Sequence, residues 1–235
     1  RGDHGWLEFI TAHGCNSPEE VKRFYQRQGA YLALLYALEA TDFHFENLIA
    51  AGEHPVMIDL ESLFHPRVGG IDIRLSDMLA GNAMAYSVLR IGLLPQRIWS
   101  KDEYEGIDLS GLGTPAGQLT PDRLPYLEGN GTDEMHFARR RMEMQGGHNR
   151  PNLNGAEVDT LDYAENIVAG FTAVYRLLMK YRDELLSPSG PLSPFAGDEV
   201  RMILRPTRTY GLLLYESFHP DVLRDALDRD QFFDK

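Results

Sequence analysis

The sequence predicts an α+β chain, mostly helical with short β-hairpins, on three observations. A strong helix start precedes an amphipathic run that ends just before residue 42. Two short apolar runs flank Gly52 in the manner of a hairpin. Residues 159–186 return to helical spacing. With 235 residues, 43% of them apolar, the chain can bury a substantial core as one large domain or one and a part.

Each element has its own signal. Ser17-Pro18-Glu19-Glu20 supplies an N-cap, a proline at the first helical position and a glutamate able to close a capping box. Val21, Phe24, Leu32, Leu35, Tyr36 and Leu38 then fall on apolar positions, so a buried helix delivers the chain to Asp42. Residues 48–50 read as one strand, Gly52 as the turn and residues 55–58 as the return strand. Residues 76–94 read as a helix interrupted at Gly81 and stopped by Pro95, with Met78, Leu79, Met84, Ala85, Val88 and Leu89 in the core. Residues 101–157 loosen into Gly, Pro and charge without a clear period, which reads as a substrate or activation segment that orders on peptide binding. Within it, Gly111-Leu112-Gly113-Thr114-Pro115-Ala116-Gly117 misses the P-loop spacing and lacks its Lys, so it reads as turn chemistry. Arg139-Arg140-Arg141 could meet a phosphate or an acidic peptide, but a solvated helix face explains it more simply. In residues 159–186, Ile167, Val168, Phe171, Val174, Tyr175, Leu178 and Tyr181 are spaced for burial.

The chemistry concentrates at Asp42-Phe43-His44-Phe45-Glu46-Asn47 and at Asp59-Leu60-Glu61. The separation from Asp42 to Asn47, and onward to Asp59, is close to that of a protein-kinase catalytic loop and its metal-binding Asp. A hydroxyl attacking the terminal phosphate of ATP must lose its proton, and the charge gathering on the phosphoryl oxygens calls for Mg²⁺ on hard oxygen ligands. Asp42 is the candidate base, and Asn47 and Asp59 are candidate ligands side by side at the open end of the hairpin. Glu61 shares a face with Asp59 if the strand continues. His44 sits where many protein kinases carry a catalytic-loop Lys and is a candidate contact for the transferred phosphate. Taken singly, each residue is ordinary surface chemistry; together they set five polar residues around one apolar hairpin. His4, His13, His54, His136 and His148 show no metal-ligand spacing, and the single Cys15 excludes a multi-thiolate zinc site within the chain.

Composition narrows the class further. One Cys argues against a disulfide framework, and 35 acidic against 23 basic residues, a net charge of −12, disfavours nucleic acid and anionic membranes. The longest apolar stretch, residues 30–38, is about half of a membrane span. No signal peptide opens the chain and Arg1 comes first, so the expectation is an internal piece of a longer cytoplasmic enzyme. In Val200-Arg201-Met202-Ile203-Leu204-Arg205-Pro206-Thr207, an extended backbone puts Arg201, Ile203, Arg205 and Thr207 on one face. Two guanidinium groups and a hydroxyl there suit a phosphate monoester. Pro206 weakens the strand reading beyond Arg205, and solvated arginines on an edge strand fit the spacing about as well.

These residues together support a family resemblance. Ala40-Thr41-Asp42-Phe43-His44-Phe45-Glu46-Asn47, Pro55-Val56-Met57-Ile58-Asp59-Leu60-Glu61-Ser62-Leu63-Phe64 and Leu204-Arg205-Pro206-Thr207 with Tyr210 resemble the N-terminal dehydratase domain of class II (LanM-type) lanthipeptide synthetases. Gly5-Trp6-Leu7-Glu8 and Phe218-His219-Pro220-Asp221 extend the likeness to nearly the whole chain. The resemblance implies a protein/lipid kinase-like catalytic core. It also implies an ATP- and Mg²⁺-dependent reaction on a ribosomally made precursor (leader-core) peptide: Ser or Thr is phosphorylated, and phosphate is then eliminated to dehydroalanine or dehydrobutyrine. In the family, the positions matching Asp42, His44, Asn47, Asp59 and Glu61 serve phosphorylation, and those matching Arg201 and Thr207 serve elimination. Arg205 is added to the second set on the charge it would offer a departing phosphate.

One departure stands out. A kinase-like site needs a Lys from an upstream strand on the nucleotide phosphates. Lys22 lies in the helix leading into the loop, and Lys101, Lys180 and Lys235 follow Asp59. The nucleotide-gripping lobe is therefore expected upstream of this chain, the family's zinc cyclase domain downstream, and little ATP binding or catalysis from the chain alone. Two other classes fit the same residues: a kinase-like phosphotransferase on a lipid or small molecule without elimination, and a peptide-binding pseudokinase fragment without chemistry.

Overall fold

The computed structural model describes residues 5–66, 83–98, 106–120, 123–203 and 207–234, and it divides into two compact units, Arg1–Val200 and Arg201–Lys235. The first unit contains α1 (Pro18–Ala37), four two-stranded antiparallel hairpins, α2 (Ala164–Lys180) and α3 (Arg182–Leu185). The hairpins pair β1 (Leu48–Ala51) with β2 (His54–Met57), β3 (Arg97–Ile98) with β4 (Ile107–Asp108), β5 (Leu124–Glu128) with β6 (His136–Arg140), and β7 (Asn152–Leu153) with β8 (Ala156–Glu157). The second unit contains α4 (Thr207–Glu216) and α5 (Ala226–Phe233). An α+β architecture of helices with short hairpins is thus observed.

Helix α1 starts as its sequence dictates. Ser17 Oγ accepts from the Glu20 N–H, and the Glu20 carboxylate turns back to accept from the Asn16 N–H at 2.7 Å, one residue upstream of the usual capping-box partner. It ends in a Schellman motif: the Ala40 N–H donates to Leu35 O at 3.0 Å and the Glu39 N–H to Tyr36 O at 3.4 Å. Glu39, not glycine, takes the left-handed position (φ 53°), and its carboxylate is held by Arg90. Val21, Phe24, Tyr25, Leu32 and Leu35 enter the core with Phe43, Leu48, Ile91, Leu93, Leu112 and Ile167.

The backbones of α1 and α2 approach directly. A Cβ on Gly29 would collide with the Ile167 carbonyl, and one on Gly170 with the Gln26 carbonyl. Each glycine is therefore required by the other helix. Tyr25 stacks on Tyr163 with centroids 4.8 Å apart, and its hydroxyl lies 3.2 Å from Thr160 Oγ1.

Several sequence expectations change. Of the expected helix over residues 76–94, Met78 and Leu79 lie outside the described residues, and the remainder is not one helix. The chain turns at Ser87, whose hydroxyl accepts from the Leu89 N–H, and continues as a 3₁₀ turn, Val88–Ile91, closed by Gly92 at φ 81°. Met84 is exposed, whereas Ile91 and Leu93 are the fully buried members of this segment. Among the described residues, 101–157 hold five strands, β4 and the whole of the β5–β6 and β7–β8 hairpins, rather than an unstructured segment, and Arg139 and Arg140 stand on strand β6 rather than on a helix. Along α2, Ile167 is buried and Phe171, Val174 and Leu178 are half-buried, but Val168, Tyr175 and Tyr181 are exposed. The apolar stripe is therefore wider than the face α1 covers. No helix among the described residues is long and apolar enough to cross a membrane.

Candidate functional site

The site is built on the β1–β2 hairpin. Leu48 pairs with Met57 and Ala51 with His54, and Gly52 opens the two-residue loop at φ 59°, as a tight primed turn requires. Pro55 costs no ladder bond, because its partner Ala50 directs its backbone groups to the other edge. The Ala50 N–H donates to His148 O at 2.7 Å and Ala50 O accepts from the His13 N–H at 3.1 Å. At the open end the Ile58 N–H donates to Asn47 O at 3.1 Å, which brings Asn47 opposite Ile58 and beside Asp59. The expected juxtaposition of Asn47 and Asp59 is present in the backbone.

The loop from α1 to β1 rests on two neighbouring segments. The Phe43 N–H donates to Ile91 O at 2.8 Å and the Phe45 N–H to Leu109 O at 3.2 Å, while Phe43 itself is buried. These two segments are joined in turn, Gly111 N–H to Gly92 O at 2.9 Å and Leu112 N–H to Leu93 O at 2.8 Å. Asp42 adopts φ 63°, a left-handed conformation that costs most side chains about 1–2 kcal/mol and that Asp tolerates better than most. Asn47 Nδ2 donates to the Asp42 carbonyl at 2.8 Å, which locks the turn and commits the amide nitrogen, so that Oδ1 is the oxygen left to act as a ligand. His44 Nδ1 lies 3.1 Å from the Asp42 carbonyl and 3.9 Å from its carboxylate, and Nε2 lies 3.1 Å from a Glu46 oxygen. Phe45 meets the His44 ring edge-on at 5.9 Å.

Beyond the hairpin, Asp59 Oδ1 accepts from the Glu61 N–H at 3.1 Å. Strand β2 ends at Met57 and residues 61–64 form a turn, so Glu61 is placed near Asp59 by that turn and not by a continued strand as the sequence suggested. The donor set is two carboxylates and an amide oxygen, all hard, and suits Mg²⁺ in kind. Among the described residues no group of three His, Cys, Asp or Glu side chains gathers as a metal site. Cys15 is buried, and burial raises its thiol pKa, with Glu20 and Glu53 adding to the shift.

Three supporting residues escaped the sequence reading. Glu46 holds the His44 ring. Ser62, nearly buried, donates its hydroxyl to the Thr41 carbonyl and joins the loop to the Asp59 segment. Asn149, fully buried, donates to Gly111 O at 2.8 Å and Gly113 O at 3.1 Å, underneath the segment that carries Phe45.

The elimination set belongs to the second unit. Arg201 lies in irregular backbone at its start, Arg205 lies outside the described residues, and Thr207 is the first residue of helix α4. An extended strand carrying Arg201 through Thr207 is therefore not observed. Lys22 lies on α1 in an exposed pair with Glu19 at 3.8 Å.

The loop thus holds Asp42 left-handed on the Asn47 amide, and Asn47 stands across the hairpin mouth from Ile58, the residue before Asp59. The chain belongs to the family described as domain of unknown function DUF4135, whose model matches residues 1–235. The lacticin 481/lactococcin biosynthesis protein LcnDR2 of Lactococcus lactis subsp. lactis is 28% identical over 241 residues, covering 99% of this chain and 25% of that protein. The chain thus spans about a quarter of the length of the curated relative it matches.

Proposed function

We propose that this chain is the catalytic part of the dehydratase of a class II lanthipeptide synthetase, with a kinase-like core that phosphorylates Ser or Thr of a precursor peptide and then eliminates the phosphate. The observation that carries the reading is the hairpin mouth, where the Asn47 carbonyl accepts from the Ile58 N–H, next in chain to Asp59, and the Asn47 amide holds the loop that keeps Asp42 left-handed. The printed name of the relative, a lacticin 481/lactococcin biosynthesis protein, supports the same process.

In this reading Asp42 accepts the proton of the substrate hydroxyl. Asn47 Oδ1, Asp59 and Glu61 would hold Mg²⁺, which supplies charge neutralisation on the phosphoryl oxygens of ATP. His44, steadied by Glu46, contacts the transferred phosphate. In the second step a general base of the intact synthetase takes the α-proton to leave an enolate, whose electron pair then forms the alkene and expels the phosphate, and Arg201, with Thr207 and Arg205, offsets the negative charge on the enolate and on the departing phosphate.

The test separates the two steps in the intact synthetase with its precursor peptide, read by mass spectrometry. Asp59→Asn is expected to abolish both modifications. Arg201→Ala is expected to slow elimination roughly a hundredfold, about 3 kcal/mol, as for one oxyanion contact. The peptide then accumulates at a gain of about 80 Da per site in place of a loss of about 18 Da, values set by adding HPO₃ or removing water. Dehydration at the normal rate in Asp59→Asn would remove the metal assignment, and the same result in Arg201→Ala would remove the second site.

A further inference from the structure

Residues 147–149 have no part in the phosphoryl-transfer reading, yet each of the three touches a different piece of the candidate site. Gly147 lies against the Phe45 ring: a Cβ there would stand 2.9 Å from Phe45 Cδ2 and 2.5 Å from Asn149 Oδ1. His148 O accepts from the Ala50 N–H of β1 at 2.7 Å. The Asn149 side chain, fully buried, donates through Nδ2 to Gly111 O at 2.8 Å and to Gly113 O at 3.1 Å.

The two hydrogen-bonded partners of this stretch carry different parts of the proposed chemistry. The segment of Gly111 and Gly113 is the one on which the loop rests, since Leu109 O accepts from the Phe45 N–H at 3.2 Å and Ser110 stands opposite His44 in an antiparallel bridge. Strand β1 instead follows Asn47 directly and leads, through its pairing with β2, to Asp59. The loop of Asp42 and His44 and the hairpin of Asn47 and Asp59 are thus both tied to one short stretch about a hundred residues further along the chain. Asn suits the place. Both of its partners are carbonyls, which only accept, so the amide nitrogen must face them, and it carries one N–H for each. Burial leaves no water to replace those bonds, so a side chain without the donor strands two carbonyls.

We propose that Asn149 is a positioning residue for the first step: with His148 it clamps the loop that carries Asp42 and His44 to the hairpin that carries Asn47 and Asp59, and so fixes the proton acceptor relative to the metal-ligand oxygens. A misplacement of about 1 Å between reacting groups costs on the order of a hundredfold in rate. A loss of geometry alone lowers kcat and leaves KM. The step at which the clamp acts rests on the function proposed above; the clamp itself does not. Elimination is assigned to Arg201 and Thr207 of the second unit and serves as the internal control.

The experiment uses the intact synthetase carrying Asn149→Ala or, as a variant that keeps the donor and presses on it and on Phe45 from the neighbouring position, Gly147→Ala. Three readings are taken: consumption of unmodified precursor peptide, elimination from the same peptide supplied already phosphorylated on Ser, and amide hydrogen exchange resolved by mass spectrometry. Both variants are expected to lower kcat for consumption roughly ten- to a hundredfold, with KM for the peptide within about threefold of wild type. Elimination from the phosphopeptide is expected to stay within about twofold of wild type. Exchange is expected to rise in residues 42–47 and 109–113 and to stay unchanged in α1 and α2. Exchange that rises equally in α1 and α2, or not at all, overturns the proposal. So does elimination that falls in step with consumption, or an unchanged kcat. If Asn149→Ala does not fold, Gly147→Ala decides, and failure of both to fold makes the stretch a plain part of the core and overturns the proposal. A local rise in exchange beside a wild type that phosphorylates nothing leaves the clamp standing and counts against the phosphoryl-transfer reading alone.

Discussion

Two hairpins of the same unit behave in opposite ways. In β1–β2 the outer edge of β1 is occupied by His13 and His148, Leu48 and Ala50 are buried in the core, and the loop residue Glu53 is gripped by Arg23 and Arg27. In the β5–β6 ribbon both faces carry exposed side chains, and among the described residues no third strand joins either edge. An isolated two-stranded hairpin is marginal in water. The first is fixed by what surrounds it, and the second rests on its own pairing.

The largest expected effect on that contrast comes from truncating one apolar side chain in each hairpin. Leu48 is 3% exposed, so Leu48→Ala should cost about 2–4 kcal/mol in urea unfolding, whereas Phe137→Ala should stay within about 0.5 kcal/mol. Similar losses at both positions would mean that the ribbon is packed after all. The two turns give a smaller difference. Gly52→Ala meets a left-handed backbone and a His13 ring atom 2.7 Å from the new Cβ, while Gly131→Ala, at φ 83°, meets open space. The former should cost about 2 kcal/mol and the latter about 1 kcal/mol, read by thermal denaturation.

The smallest effect is electrostatic. The Arg23 hydrogen bond holds the Glu53 carboxyl below its ordinary range, against the opposing effect of desolvation and with further help from Arg27. A depressed carboxylate pKa contributes stability above the unfolded value, about 4.3, and loses it as pH falls through the folded value. Glu53→Gln should therefore be slightly less stable than wild type near neutrality, with the gap closing below pH of about 4. A gap that persists in acid would show a packing role for Glu53 rather than a charge role.

The same contrast explains what could be read from the sequence. The first hairpin announced itself because burial on one face forces apolar residues, and a positive φ in a two-residue loop forces Gly52. The helix start at Ser17 was equally plain, since capping needs particular side chains. The ribbon was invisible because a strand solvated on both faces has no alternation to detect, and three consecutive arginines suit a helix surface as well as a strand. Ile91 and Leu93 were missed because a 3₁₀ turn between Ser87 and Gly92 breaks the helical period that marks a core face. At Pro206-Thr207 a proline was weighed only as a strand breaker, although it also commonly precedes a helix, and α4 begins at Thr207. Within the candidate site, Asp42, His44, Asn47 and Asp59 were legible through spacing, whereas Asn149 acts from a distant stretch of chain and only the fold brings it under Gly111 and Gly113.

The left-handed backbone at Asp42 changes how variants at that position must be read. A saturation screen there reports main-chain tolerance before it reports proton transfer, because branched and bulky residues resist φ 63° whatever their chemistry. Asn and Gly keep the turn and delete the carboxylate, so a loss of turnover in them would test the proposed base alone. A dead Val or Ile variant at the same position carries no such information.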